Sequence, residues 1–340
     1  MEVAMSLEFL PPMQRNDHGM FFSSDFSCSL NARDRKIVCV TSGNSYFGSH
    51  LIKKLLACGY LVRVIIQNQA NLEDMKELMR EEMKQLESVV VARMDDLDSL
   101  CNAFRGCHVV FHTSSFIDPR GISGYTERMA FVEAEAAKNV IEACGSAAYV
   151  KRCIFTSSLL ACIWKNDLPN LIDESSWSDE TFCRENKLWL ALAKTRAEKA
   201  AWRKAKEMKV KLVTLCPGLL MAPSFPNAQL ETSLPYLKDF MLRQGILASE
   251  DVSKVAEAHI YVYEDMDYGA CGRYICFGKI VGTLEEAIQI EKGLNMPGHL
   301  SGDQSPPAAA MDDDKIPPRI TKSKLSRLLF RASQRLSCKQ

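Results

Sequence analysis

The sequence predicts an α/β fold with a doubly wound parallel sheet, and three observations carry that expectation. Short β-rich apolar runs alternate with amphipathic segments from Lys36 onward. The first run, KIVCVT, passes through a Gly/Ser/Asn turn directly into a helical pattern. The chain, at 340 residues with 47% hydrophobic and 25% charged side chains, is long enough for one large globular domain or two smaller ones. Strands that alternate with helices form βαβ units, and right-handed crossovers then place helices on both faces of the sheet.

The elements follow in order. KIVCVT is the first strand, and YFGSHLIKKLLACG carries apolar residues at helical spacing with Gly59 closing the helix. YLVRVII is the second strand, NLEDMKELMREEMKQL an amphipathic helix, and SVVVARM the third strand. A short helix around Asp98 to Phe104, the strand CHVVFHT, a long helix around Tyr125 to Cys144 and the strand KRCIFTSS complete the regular part. Beyond Ser158 the rhythm loosens. A loop with LPNLIDESSWSDE leads to a helix at ENKLWLALAKTRAEKAAW, and VKLVTLCPGLL reads as a buried strand. Residues 223 to 250 are Pro-rich and irregular, followed by a helix at DVSKVAEAHIYVYE and a strand at GRYICF.

The expected organisation is an N-terminal extension over 1–35 that is disordered, a domain over 36–300, a linker over 301–318 and an amphipathic helix over 319–340. The linker SGDQSPPAAAMDDDKIPP is small, Pro-rich and acidic. The basic helix KSKLSRLLFRASQRL is expected to dock on its own domain.

Composition narrows the function classes. Forty-two basic and forty-two acidic residues cancel, so the balance supplies no reason for a nucleic-acid or membrane-surface partner. No run of eighteen apolar residues is present, so no membrane span is expected. Thirteen cysteines are scattered without a CxxC pair or a Cys/His metal spacing. Buried free thiols in a reducing, cytoplasmic setting are expected, and no metal. The first residues lack a basic start and an apolar core, and the acids Glu2, Glu8, Asp17 and Asp25 count against an organelle transit peptide without excluding one.

The turn VTSGNSYFGSHL lies where dinucleotide-binding domains place their glycines. The physical requirement is close approach of backbone to a pyrophosphate at a helix N-terminus. Gly43 and Gly48 are glycine, whereas Ser42 and Ser45 occupy positions where the spacing T-G-x-x-G-x-x-G places glycine. By spacing alone the stretch fits either a cofactor cradle or a polar turn capped by Asn or Ser. At the end of the second strand an acid would hold the 2′-hydroxyl of NAD and an arginine the 2′-phosphate of NADP. Gln67 and Asn68 stand there, and Arg63 lies four residues earlier. The missing acid favours NADP and leaves NAD open.

Taken together, FTSS, DESSWSDETFCRENKLW, AEKAAW, AEAHIYVYE and GRYIC resemble the cinnamoyl-CoA reductase and dihydroflavonol reductase family of extended short-chain dehydrogenases, from about Lys36 to Phe277. The resemblance implies a Rossmann-type sheet with a smaller C-terminal substrate lobe, mainly 160–190 and 218–300. It also implies a catalytic serine at Ser158 and a lysine at Lys194 that binds the nicotinamide ribose. The family's tyrosine falls on Leu190. The implied cofactor set is Thr41, Ser42, Gly43, Ser45, Tyr46, Phe47 and Gly48 in the turn; Arg63 and Gln67; Asp96 and Leu97 beside the adenine; Thr113 and Ser114; Lys194; and Pro217 and Gly218.

A phenol with a pKa near 10 acts at neutral pH only when a cation about 4–6 Å away stabilises its phenolate, which an i, i+4 lysine on a helix supplies. Leucine neither donates nor accepts a proton, and loss of a positioned acid costs about 10²- to 10⁴-fold in rate. Lys194, a water held by Ser158, and His112 are the substitute proton sources. Two functions follow from the resemblance. One is an NADP- or NAD-dependent oxidoreductase acting on the carbonyl or thioester of a bulky aromatic small molecule. The other is a catalytically impaired member that binds a nucleotide, a metabolite or a protein. The oligomeric state stays open.

Overall fold

The computed structural model describes residues 36–113, 126–221, 241, 244–283, 285, 286, 289 and 318–337. The expected N-terminal extension and nearly all of the linker lie outside them. The strands, numbered in chain order, are β1 Ile37–Thr41, β2 Leu61–Ile66, β3 Ser88–Val91, β4 Val109–His112, β5 Arg152–Thr156, β6 Leu171–Ile172, β7 Lys211–Pro217, β8 Leu219–Met221, β9 Ala248–Asp251, β10 Gly272–Cys276, β11 Lys279–Ile280 and β12 Arg319–Ile320. The helices are α1 Tyr46–Ala57, α2 Ala70–Leu78, α3 Leu97–Ala103, α4 Glu127–Ser146, α5 Glu180–Glu185, α6 Trp189–Met208, α7 Val252–Asp265 and α8 Ser323–Ser337. Seven strands form one sheet in the order β3-β2-β1-β4-β5-β7-β10, every neighbouring pair parallel. The order turns back between β1 and β4, the topological switch point at which open α/β sheets bind ligands.

Side-chain alternation along each strand explains why both faces of the sheet are covered. Val38 and Val40 of β1, Val62, Val64 and Ile66 of β2, and Val109 and Phe111 of β4 enter one core with Leu51, Ile52 and Leu55 of α1 and Val255 of α7. The intervening Cys39, Ile65 and Val110 enter the opposite core with Leu100 of α3 and Val140 and Ile141 of α4. Each such Val, Leu or Ile stabilises the fold by about 1.5–3 kcal/mol on burial. The buried face of α6 carries Ala191, Ala193, Ala197, Ala201 and Ala205, small side chains that allow close packing against α4.

The structure departs from the periodicity in four places. The helix expected over NLEDMKELMREEMKQL ends at Leu78, because Met79 leaves helical geometry (φ −140°, ψ 46°) to bury its side chain, and Glu82–Gln85 form only a 3₁₀ turn. The helix expected across ENKLWLALAK begins at Trp189, since Lys187 sits in the left-handed region (φ 56°) and separates it from α5. VKLVTLCPGLL is broken after Pro217 into β7 and β8, and β8 joins β9 and β11 in a second, three-stranded sheet. Residues 319–320 are a strand, β12, paired with β6, and the C-terminal helix starts only at Ser323.

That helix, α8, packs on the domain as expected. Leu325, Leu328, Leu329 and Ala332 are buried, Arg331 and Arg335 pair with the fully buried Asp265 at the end of α7, and Lys324 Nζ donates to the carbonyls of Cys271 and Arg273 at 2.7 and 2.8 Å. Among the described residues no helix is long and apolar enough to cross a membrane.

A buried ion pair joins α6 to the sheet and to the loop at residues 174–177. Glu198 on α6 is fully buried and accepts from Arg273 of β10 through both oxygens, Nε to Oε1 at 2.8 Å and Nη2 to Oε2 at 3.1 Å. Ser157 Oγ, just beyond β5, and Thr214 Oγ1 of β7 donate to the same carboxylate, each at 2.6 Å. The remaining guanidinium nitrogen donates to the carbonyls of Glu174 and Ser176, and the guanidinium stacks on Trp177 with its carbon 3.7 Å from the ring centre. DESSW, AEKAAW and GRYIC thus meet at one point. Glu198→Ala leaves a buried unpaired arginine and is expected to cost about 3–5 kcal/mol, read as a lower midpoint in thermal melting; Glu198→Leu with Arg273→Met restores most of the loss.

Candidate active site and cofactor cradle

The turn between β1 and α1 keeps the tight path that close approach to a ligand needs. A Cβ on Gly43 would overlap Val64 Cγ1, and one on Gly48 would overlap the carbonyl oxygen of Ser42. Glycine at both positions is therefore a packing requirement. Ser42 occupies the left-handed region at φ 53°, a conformation that costs a non-glycine residue about 1–2 kcal/mol. Ser45 is the N-cap of α1, its Oγ accepting from Gly48 N at 3.0 Å. Both halves of the sequence reading are present in one stretch: the backbone has the shape of a cradle, and a serine caps the helix.

Thr41, His112 and Thr113 lock the ends of β1 and β4 together. Thr113 N–H donates to Thr41 Oγ1 at 3.0 Å, Thr113 Oγ1 donates to the Thr41 carbonyl, and His112 Nδ1 shares a hydrogen bond with Thr41 Oγ1 at 3.1 Å. Tyr46 and Phe47 open α1, with Phe47 buried against His259. Gln67 follows β2 directly at the same edge of the sheet. Asp96 caps α3 through Ser99 N at 3.0 Å, and with Leu97 and Arg93 it lines a shallow depression beyond β3. Pro217 ends β7, and Gly218 N donates to the Cys276 carbonyl at 3.0 Å. Ser114 lies outside the described residues.

Arg63 does not join this group. Its guanidinium is held by Glu87 at 2.9 Å, by Ser88 Oγ and by the carbonyls of Ala103 and Arg105. Those groups precede β3 and β4, at the edge of the sheet opposite the turn. The physical reason is the strand itself: a side chain in mid-β2 is directed by the ion pair with Glu87, not by the ligand edge at Gln67, four residues further on.

Ser158 follows β5 and caps a 3₁₀ turn over Leu159–Ala161, its Oγ accepting from Leu160 N at 3.2 Å, a contact that leaves the hydroxyl proton to donate elsewhere. Lys194, in the second turn of α6, is 8% exposed and donates from Nζ to Glu133 Oε1 of α4 at 2.7 Å. Leu190, one turn earlier, is partly buried and packs against the apolar cluster that includes Leu159, Ala191 and Ile246. An aliphatic side chain therefore stands one turn before Lys194. His112 is buried, with its ring 4.9 Å from Phe155. Burial and the charge of Lys194 push its pKa down to about 3, so the ring is neutral at physiological pH and carries no proton to give.

Glu133 is the residue that sequence reading missed. Among the glutamates of FVEAEAAKNVIEAC it passes for a solvated helix charge. Its spacing carried a signal, because Met129, Ala130, Ala137, Val140 and Ile141 lie at −4, −3, +4, +7 and +8 from it, on the buried stripe of α4.

With this geometry in place, comparison with known proteins is informative. Residues 39–216 match the 3-beta hydroxysteroid dehydrogenase/isomerase family. Cinnamoyl-CoA reductase 1 of Petunia hybrida is 36% identical over 252 residues, 71% of this chain and 72% of that protein. The chain belongs to this family, in its cinnamoyl-CoA reductase-like branch. The crystal structure of vestitone reductase from alfalfa superposes with a TM-score of 0.62 at 27% identity, covering 86% of this chain and 91% of that one. A yeast methylglyoxal/isovaleraldehyde reductase complexed with NADPH has the same fold, with a TM-score of 0.66 at 19% identity over 86% of this chain and 93% of that one.

In this reductase-family chain a second histidine is also held neutral. His259 of α7 is buried, donates from Nδ1 to the Val255 carbonyl at 2.7 Å, and shares a bond through Nε2 with Thr156 Oγ1 at 2.9 Å. Burial pushes its pKa down to about 4 against the opposing pull of that carbonyl. Both histidines have folded values below the unfolded value of about 6.5, so the unfolded chain binds more protons as the pH falls. Their contribution to stability is complete above about pH 6.5 and declines below it, by roughly 2 kcal/mol each at pH 5. Denaturant unfolding at pH 7.5 and pH 5 checks this: His259→Gln is expected to remove that residue's share of the decline.

Proposed function

We propose that this chain is an NADP(H)-binding reductase of the cinnamoyl-CoA reductase-like branch, acting slowly on the carbonyl or thioester of a bulky aromatic compound. The observation that carries the reading is the preserved cradle: glycines whose Cβ positions are closed by Val64 and by the Ser42 carbonyl, beside a retained Ser158 and Lys194. The names of the relatives supply the substrate class. The apolar side chain of Leu190, packed on a hydrophobic cluster, suits an aromatic ring. NADP is favoured because Gln67, not an acid, follows β2.

The residues present fit the cofactor. The first turn of α1 with Gly43 and Gly48 would hold the pyrophosphate, Asp96 and Leu97 would border the adenine, and Lys194 would bind the nicotinamide ribose. Bound nicotinamide supplies a hydride. Ser158 holds the substrate oxygen through its free O–H, Leu190 and its neighbours exclude water, and His112 stays neutral behind them. The proton is the deficient part, since Leu190 provides none and the neutral His112 provides none.

The same deficiency supports a second reading, in which the chain is catalytically impaired and serves as a binding module for a nucleotide, a metabolite or a protein. Leu190 points this way, because it offers no proton one turn before Lys194.

Two measurements separate these readings. Calorimetric titration with NADPH is expected to give micromolar affinity, and no binding up to millimolar concentration sinks the cofactor assignment. Leu190→Tyr is expected to raise reductase turnover on aromatic aldehydes or thioesters by about 10²- to 10⁴-fold. An unchanged rate with NADPH still bound means that the pocket has diverged beyond its proton donor, which favours the binding module.

A further inference from the structure

The C-terminal segment carries a charge imbalance that the neutral total of the chain conceals. Between residues 318 and 337 stand Arg319, Lys322, Lys324, Arg327, Arg331 and Arg335, with no acid among them. Leu325, Leu328, Leu329 and Ala332 occupy the face of α8 that is buried on the domain, and that docking fixes which face looks outward. Ser323, Arg327, Phe330, Arg331 and Gln334 are all exposed, and their spacing places them in one stripe along the helix.

Phe330, within that stripe, is 66% exposed, and Tyr268, just beyond the end of α7, is 64% exposed. The Arg335 guanidinium lies over the Tyr268 ring with its carbon 4.5 Å from the ring centre, so the second aromatic adjoins α8. The acids nearby are occupied. Asp265 is fully buried and takes Arg331 and Arg335 together, Asp267 is paired with Arg152, and Glu264 accepts from Tyr60 Oη at 3.0 Å. None of them stands in the stripe.

A positive stripe that contains an exposed ring narrows the partner. The core of a protein–protein interface is depleted of charge, and one phenylalanine between arginines supplies little apolar area for such a core. Duplex nucleic acid presents phosphates to the arginines but no apolar phase to the ring. An anionic bilayer offers both, charged headgroups and the acyl chains beneath them. It requires a ridge and no groove, and the outer face of a docked helix is a ridge.

We propose that the outer face of α8, together with Tyr268, docks the protein on an anionic lipid surface. Arg327 and Arg331 meet the headgroup phosphates, Phe330 and Tyr268 reach below them, and Arg335 braces the Tyr268 ring. The contact is peripheral, because the apolar face of α8 stays on its own domain. It also leaves the candidate active site open. Asp267 meets Arg152, the first residue of β5, so the Tyr268 end of the patch lies where the strands begin, whereas Thr41 and Ser158 lie where they end. The assignment does not depend on the cofactor reading.

Sedimentation of the full chain with vesicles tests it. Wild type is expected to bind vesicles of phosphatidylcholine with phosphatidylserine, to ignore vesicles of phosphatidylcholine alone, and to be released as salt is raised. Arg327→Glu is expected to weaken the binding about ten-fold, since it exchanges an attracted charge for a repelled one. Phe330→Ser is expected to weaken it about ten-fold by removing the inserted ring. Both side chains are exposed, so the thermal midpoint stays at the wild-type value; should Arg327→Glu lower it, Gln334→Glu in the same stripe gives the charge comparison. Equal binding to both kinds of vesicle overturns the proposal, as does binding to neither or undiminished binding in either variant. Duplex DNA is the remaining control: if wild type binds it as tightly as the anionic vesicles, the stripe is a general polyanion surface and the lipid assignment falls.

Discussion

The Glu198–Arg273 pair is the constraint on which the rest of the structure depends. Two charges out of water are tolerated only when geometry and hydrogen bonding are nearly complete, and here the carboxylate accepts from the guanidinium twice, from Ser157 and from Thr214. Meeting those demands fixes the positions of β5, α6, β7 and β10 relative to one another. It also draws in the loop at Glu174, Ser176 and Trp177, which has no regular backbone pairing of its own beyond short turns. Ser158 is the next residue after Ser157, and Lys194 lies one helical turn before Glu198. The placement of both candidate catalytic groups is thus a consequence of an ion pair that takes no part in chemistry. Position 190 stands two turns from the pair, so leucine there leaves the framework undisturbed.

The cofactor turn shows how far a glycine motif can drift before its geometry fails. Gly43 and Gly48 are the positions where side-chain atoms would collide with the protein itself. Ser42 accepts left-handed backbone instead, at a cost small beside the stability of a domain. Ser45 meets no such obstruction and uses its hydroxyl to cap α1. The two serine substitutions therefore differ in kind. One adds strain to an unchanged path, and the other competes for a backbone donor at the helix N-terminus.

Electrostatics at the centre of the site are set by burial. His112 and His259 are held neutral because desolvation disfavours their charged forms, and the positive charge of Lys194 adds to this at His112. Lys194 itself is matched by Glu133, so the lysine is a member of a buried pair.

The doubly wound parallel sheet, its strands and most of its helices were legible because hydrophobic periodicity is a local property, and so was the family, from DESSWSDETFC and AEKAAW. The strands β6, β11 and β12 were not, since strands of two residues carry too little periodicity to read. The break in the second helix at Met79 was hidden as well, because it depends on where that methionine is buried. Among the candidate site residues, the sequence by itself determined that Ser158 follows a strand end and that Lys194 lies on a helix with Leu190 one turn before it. Only the tertiary structure decided that Arg63 faces away from the ligand edge toward Glu87, and that Glu133 and Glu198, two unremarked helix glutamates, are buried partners of Lys194 and Arg273. The reason is physical: local spacing says which face of an element a residue occupies, but the partner of a buried charge comes from a different element, 61 residues away for Lys194 and 75 for Arg273.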